Sequence, residues 1–342
     1  MHRNFLRKLR TLGLICLFTS FAGIVYQLIN EERLSYHSVL FGLPLGLGFG
    51  LLELFVFPNS KLQVRRWSFT RILIFKTVVY TAAIYTVSLT VTVIAGFAEG
   101  HHISELPAVL TSPSHLILIL YTLLIYGLLV FFLQIENLLG EGVIWKFISG
   151  KYHEPREEER IFMFLDMYSS TTVAEKLGHK GFYNLLNEVF HEISEPVIQT
   201  KAEIYQYVGD EVVLTWSIKH GLENANCLKT FFMFKENLIS KSDHYLKTFG
   251  VVPQFKAGMH LGNVVCAQIG DTKRQIVYNG DVVNTASRIQ DQCKKYQRDC
   301  LVSGDLFKQL QNYNGLTWER VDTVALRGKE NTVELYSVTT AT

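Results

Sequence analysis

Two aspartates carry the first chemical signal. Asp166 ends the apolar run "RIFMFLD", and Asp210 sits on the Gly-Asp-Glu turn of "AEIYQYVGDEVVLTW". Hard divalent cations prefer carboxylate oxygen, and Mg²⁺ typically takes one or two carboxylates together with substrate phosphates. Behind Asp166 comes "MYSSTT", where Ser169, Ser170 and Thr171 lead into a helix. The first backbone N–H groups of a helix face an anion, so a phosphate fits there. An aspartate at a strand end beside a helix start is therefore a metal-plus-phosphate arrangement. Asp210 can join it if the hairpin lies next to the first strand. A plain turn or cap is the alternative for either residue alone.

A second constellation is "NTASR". Asn284 and Arg288 are four apart in a predicted helix and share a face. An amide and a guanidinium there suit a sugar oxygen and a charged phosphate. A third is "LRGKENTVELY", in which Arg327 and Lys329 flank Gly328. It is either a polyphosphate contact or a basic turn.

The elements that must position these groups read as an α/β pattern. "RIFMFLDM" reads as a buried strand. "SSTTVAEKLGHKGFYNLLNEVFHEI" is an amphipathic helix with a Ser/Thr start. "AEIYQYVGDEVVLTW" is two strands around a tight turn at Gly209. "GLENANCLKTFFMFKENLISKSDHYLKTFG" reads as one long helix ending at Gly250. "VVPQFKAGMHLGNVVCAQIG" reads as strand, turn and strand, and "GDVVNTASRIQDQCKKYQ" as a helix. The order β-α-β-β-α-β predicts an α+β, ferredoxin-like core with additions. Glu211 follows Asp210 on the strand, so alternation points it the opposite way and away from a metal.

The first 135 residues are different in kind. Four apolar segments, Thr11 to Ile29, Ser38 to Phe57, Ile72 to Phe97 and Leu116 to Ile135, are each long enough to span ~30 Å of hydrocarbon as a helix. The first run exceeds a signal-peptide core and is expected to be retained. Arg3, Arg7, Lys8 and Arg10 precede it, and Lys61, Arg65, Arg66 and Arg71 lie between the second and third segments. Glu31, Glu32 and Arg33 occupy the first loop, and Glu99 and Glu105 the third. This alternation places both termini and everything after residue 135 in the cytoplasm, on the inner face of a plasma membrane. Glu53 and Lys76 fall inside spans. Either each reaches the interface separately, or they pair across adjacent helices. His37, His101, His102 and His115 near the outer face read as loop residues or as a metal or pH site. The expected division is a four-helix transmembrane domain over 1–135, a connector over 136–160 and a soluble domain over 161–342. In the connector, "EPREEER" reads as a solvated lead-in to the first strand.

Net charge is +2, which gives no footprint of a general nucleic-acid binder. The five cysteines show no CxxC pair and read as free thiols in a reducing compartment.

In order and spacing, "FLDMYSST", "QYVGDEVVL", "GDVVNTASR" and "LRGKENTVELY" resemble class III nucleotidyl cyclases, over about residues 160 to 338. The layout is similar to bacterial membrane-anchored adenylate cyclases. The resemblance implies a homodimer through the cyclase domain, with two interfacial sites converting ATP to 3′,5′-cyclic AMP and pyrophosphate. It implies two metal ions per site, Mg²⁺ or Mn²⁺, held by Asp166 and Asp210 of one protomer. Asn284, Arg288 and a basic triphosphate contact, Arg327, would come from the partner. One metal would help the ribose 3′-hydroxyl lose its proton and the other would hold the triphosphate, a two-metal displacement.

The base-reading positions depart from the family's pattern. Its adenylate members usually carry Lys four residues before the second Asp, where this chain has Gln206. They carry Asp, Thr or Ser seven residues before the Asn, where this chain has Val277. Guanylate members typically use Glu and a small residue such as Cys. An amide serves adenine or, rotated, guanine. Adenylate cyclase is the leading expectation. A guanylate or dual-specificity cyclase, and a catalytically silent nucleotide-binding membrane receptor, are the alternatives.

Overall fold

The computed structural model describes residues 2–31, 36–57, 67–98, 113–140, 142–325 and 332–340. It divides into two compact units, Met1–Val143 and Ile144–Thr342.

The first unit contains four long helices: α1 (His2–Glu31), α2 (Tyr36–Leu51), α3 (Phe69–Ala98) and α4 (Pro113–Leu139). Helix α2 runs into a π-helical turn, Leu52–Val56. Stretches Lys8–Ile29 and Ile119–Leu139 are long and apolar enough to cross a membrane, and Gly42–Phe55 is a shorter apolar helix. Large apolar side chains point outward from α1 and α4, among them Leu17, Phe21 and Leu120. Inside lie Ile15, Phe49, Tyr80, Tyr126 and Val130. The Phe49 ring is 4.3 Å from Tyr80 and 5.2 Å from Tyr126. Glu53 and Lys76 do pair: the Lys76 ammonium and the Tyr80 hydroxyl both donate to the Glu53 carboxylate. Glu53 sits in the π turn that follows α2. Glu32, Arg33, Lys61, Arg65, Arg66, Glu99, Glu105, His101 and His102 lie outside the described residues, as do the side chains of His37 and His115.

The second unit begins with a short helix, α5 (Val143–Ile148). It continues through β1 (Arg156–Met167), α6 (Ser170–Glu192), α7 (Ser194–Thr200), β2 (Glu203–Val208) and β3 (Glu211–Ser217). Then come α8 (Ile218–Leu222), α9 (Asn226–Ser240), α10 (Ser242–Phe249), β4 (Phe255–Ile269), β5 (Gln275–Asn279) and α11 (Asp281–Tyr296). Strand β6 (Cys300–Ser303), α12 (Gly304–Leu310), β7 (Leu316–Val324) and β8 (Val333–Thr340) complete it. The sheet order is β2-β3-β1-β4-β6-β8-β7, with β5 on β4. Strand β1 is antiparallel to both β3 and β4. The four-strand segment β2-β3-β1-β4 is thus the expected βαββαβ core, extended on one side.

Alternation along β1 divides the packing. Ile161, Met163, Leu165 and Met167 enter the main core with Leu185, Val189, Phe231 and Phe234 from α6 and α9. Each such side chain contributes roughly 1.5–3 kcal/mol of burial. Phe162 and Phe164 point to the other face, where Val282 and Ala286 of α11 cover them.

Three expectations need correction. The segment "FKAGMHLGNVVCAQI" is one continuous strand, β4, and turns only at Gly270 (φ 88). Gly258 and Gly262 are not turn residues. A Cβ on Gly258 would lie 2.1 Å from the Gln290 backbone nitrogen, so this glycine lets α11 lie directly on the strand. The predicted long helix to Gly250 is broken at Asn224 (φ 54) and again at Lys241, although Gly250 does end it with φ 67. "REEER" is not a lead-in. It is the first part of β1, paired with β4 from Arg156 onward: Arg156, Glu157 and Glu159 stay exposed, Glu158 is half-buried and Arg160 is buried.

Candidate active site

Asp166 lies near the C-terminal end of β1, where β1 gives way to α6. Ser169 turns the chain there in the left-handed region (φ 53). Ser170 and Thr171 open the helix, as the sequence suggests. Gly209 (φ 63) makes the β2-β3 turn and Asp210 follows it. Ladder β1-β3 ends at the pair Leu165 and Val212, so the tip of the hairpin lies against the end of β1. The two aspartates converge. Asp210 Oδ2 is buried without a hydrogen-bond partner. Burial pushes the Asp210 carboxyl above its ordinary range, the Ser170 hydroxyl pulls it back, and the nearby Asp166 charge pushes it up again.

Register explains what the sequence reading missed. Continuing the β1-β3 ladder by one step sets Glu211 opposite Asp166, and directly opposed residues share a face. Glu211 therefore stands beside the aspartates, contrary to the expectation from alternation alone. Asp210 is a turn residue, so strand alternation does not run through it. Burial, followed by the charges of Asp166, Asp210 and Asp291, pushes Glu211 up to about 7. On the other side β4 sets Lys256 directly opposite Asp166, and its Nζ lies 3.0 Å from Asp166 Oδ2. Gln290 of α11, only 3% exposed, donates its amide to the same oxygen at 3.0 Å. Lys256 and Gln290 were legible only as parts of a strand and a helix, because their role depends on register and on the closeness of α11.

Asn284 and Arg288 stand on α11, Asn284 exposed and Arg288 half-buried. They are not brought to the aspartates of their own chain. Gln290 is the α11 residue at Asp166, and Asn284 lies six residues earlier, roughly 9 Å along the helix axis. Among the described residues neither Asn284 nor Arg288 has a side-chain partner. Gln206 is exposed on β2. A bulge between Ile204 and Gln206 turns it toward the face of Val213, which it opposes. Val277 on β5 pairs with Ala267. The neighbours Tyr205 and Tyr278 touch, with ring centroids 5.0 Å apart, and both pack on Phe162. Arg327 and Lys329 lie outside the described residues.

Below these rings, Arg160 is buried on β1, with its guanidinium 4.8 Å over Tyr278. It bonds Thr215 at 3.0 Å and Glu158 at 2.9 Å, and lies 3.1 Å from Glu203. Lys146 of α5 reaches the other Glu203 oxygen at 2.7 Å. All four cysteines of this unit are buried free thiols.

The donor set suits a magnesium-type ion. Two converging carboxylates, one with an orphaned buried oxygen, leave acceptor capacity that a hard cation would fill. Among the described residues no group of three or more His, Cys, Asp or Glu is placed to hold a metal ion, so the fit rests on the two aspartates.

Residues 152–340 match the adenylate and guanylate cyclase catalytic domain, more than half of the chain. The chain belongs to that family. It is 34% identical over 193 residues to adenylate cyclase 2 of Rhizobium meliloti (strain 1021), covering 56% of this chain and 53% of the relative. It is 27% identical over 197 residues to a receptor-type guanylate cyclase of Caenorhabditis elegans, covering 56% of this chain and 18% of that one. The chain spans about half or less of the length of the curated relatives it matches. A bacterial light-regulated adenylyl cyclase structure superposes with a TM-score of 0.57 at 20% identity, covering 67% of each chain, which is a likeness of fold.

Proposed function

We propose that this protein is a membrane-bound adenylate cyclase that converts ATP to 3′,5′-cyclic AMP and pyrophosphate at the interface of a homodimer. The observation that carries the reading is the convergence of Asp166 and Asp210 beside the Ser170 helix start, with Asp210 Oδ2 unpartnered. Two Mg²⁺ or Mn²⁺ ions held by these aspartates would acidify the ribose 3′-hydroxyl and neutralise the triphosphate. The 3′-oxygen attacks the α-phosphorus, the bond to the bridging oxygen breaks, and pyrophosphate leaves. The backbone N–H groups after Ser169 donate to phosphate oxygens. From the second copy, Asn284 orients the ribose, and Arg288 stabilises charge growing on the α-phosphate. Arg327 and Lys329 hold the triphosphate tail. Two copies are required on this reading because Asn284 is displaced from Asp166 along α11 within one chain.

The four apolar helices anchor the enzyme in lipid with its catalytic domain on the cytoplasmic side. Outward-facing Leu17, Phe21 and Leu120 support this, since water is a poor solvent for such a surface. A guanylate or dual-specificity cyclase is the second reading, favoured by Gln206, whose amide fits either purine edge, and by apolar Val277. The test is full-length protein in detergent with Mg²⁺ or Mn²⁺, assayed separately with ATP and GTP. Cyclic AMP from ATP supports the main reading, cyclic GMP supports the second, and no product from a folded dimer favours a silent nucleotide-binding receptor.

A further inference from the structure

The geometry points to Lys256 as a resident counter-cation of the metal site, one that a divalent ion must displace from Asp166, so that this lysine sets how much metal the enzyme requires. The inference rests on the reading of Asp166 and Asp210 as metal ligands. The β1-β4 register places Lys256 directly opposite Asp166. Its ammonium lies 3.0 Å from Asp166 Oδ2, and its side chain is 13% exposed, too enclosed to leave the site freely. The Tyr168 ring lies under it, with the ammonium 5.8 Å from the centroid. Across the sheet stand Asp210 and Glu211, and Asp291 is near enough for its charge to reach Glu211. Among the described residues Lys256 is the cation paired with this acidic row; its ion pair is with Asp166, and its charge also reaches Glu211. The result is asymmetric: one aspartate is satisfied by protein groups, and the other has an open oxygen. Gln290 donates to the same Asp166 oxygen without charge.

An ammonium and a divalent ion compete for one carboxylate and repel each other at close range. Removing the lysine charge should therefore tighten metal binding in the nucleotide-free protein, the reverse of what a merely structural lysine would show. The experiment titrates Mn²⁺ into full-length protein in detergent, without nucleotide, and follows the free-ion signal by electron paramagnetic resonance. K256M is expected to lower the apparent dissociation constant about tenfold at low salt, and less at high salt. K256R, which keeps the charge, is expected to bind as the parent does. Should K256M fail to fold by circular dichroism, K256Q removes the charge while keeping a donor and is expected to tighten binding likewise. D166N and D210N are run beside them. If both weaken Mn²⁺ binding but neither neutral lysine variant tightens it, the counter-cation role is overturned and the metal ligands stand. If the aspartate variants leave binding unchanged, the metal reading itself falls and this inference with it.

Discussion

Asp210 carries a charge where the protein offers it little. Burial pushes its carboxyl up, and one oxygen has no donor. An acid whose folded pKa is raised destabilises the fold when ionised, so the metal-free protein should gain from its removal at neutral pH. Asp210→Ala is therefore expected to keep or raise the unfolding temperature while lowering kcat/KM at least about a hundredfold, or ~2.7 kcal/mol of transition-state stabilisation. Thermal melting and turnover on the same preparation check both halves. Gln206→Glu is expected to raise the GTP-to-ATP ratio of kcat/KM about tenfold, because a carboxylate accepts from guanine N1–H and repels the adenine ring acceptor. Parallel product assays read it. At this scale the convergence of Asp166 and Asp210 was legible, because one ends a strand and the other sits on the neighbouring hairpin. Glu211, Lys256 and Gln290 were not, because each gains its role from cross-strand register or from a helix laid on a strand.

Among the elements, β4 shows how the same glycines mislead and then explain. Gly258 and Gly262 suggested a turn, yet the strand runs on, and Gly258 is there for the close approach of α11. Gly258→Ala forces that helix away from β4, at a cost of about 1–3 kcal/mol for overpacking. It should lower activity more than it lowers stability, since it moves Gln290 from Asp166 and shifts Asn284 and Arg288 with it. Comparing kcat with the melting temperature tests this. The hairpin and the start of α6 were readable from Gly209 and from the Ser/Thr run. The breaks at Asn224 and Lys241 were not, because apolar spacing continues through them. In the first unit, Glu53 and Lys76 tie the π turn to α3. Lys76→Met alone is expected to destabilise the protein in detergent more than Glu53→Met with Lys76→Met together, since a lone enclosed carboxylate costs more than an apolar pair. Melting curves of the two variants decide it.

For the whole molecule, the buried Arg160 cluster links stability to pH. Burial pushes Glu158 up, but Lys151, Arg160 and Tyr152 outweigh it and hold the carboxyl below its ordinary range. Glu203 is likewise held down, by Arg160 and Lys146 against burial. Depressed carboxyls contribute stability that is full above the ordinary carboxylate range and is lost as pH falls through their folded values. Melting temperature should fall between about pH 6 and pH 3, and fall less steeply in Glu203→Gln. Composition already distinguishes an apolar first part of the chain from a second part of mixed charge, and the structure has two compact units, Met1–Val143 and Ile144–Thr342. The separation of Asn284 from Asp166 along α11 was not plain from the residues themselves, because it depends on which α11 residue, Gln290, meets β1.

That separation makes mixed dimers the most direct test. Asp210→Ala and Arg288→Ala chains, each inactive alone, would be coexpressed in equal amounts, purified together and assayed with ATP. A composite site predicts that half of the dimers carry one intact site, restoring about a quarter of the parental activity. Cyclic AMP at the level of the single variants, with mixed dimers demonstrated, would contradict a site shared between two copies.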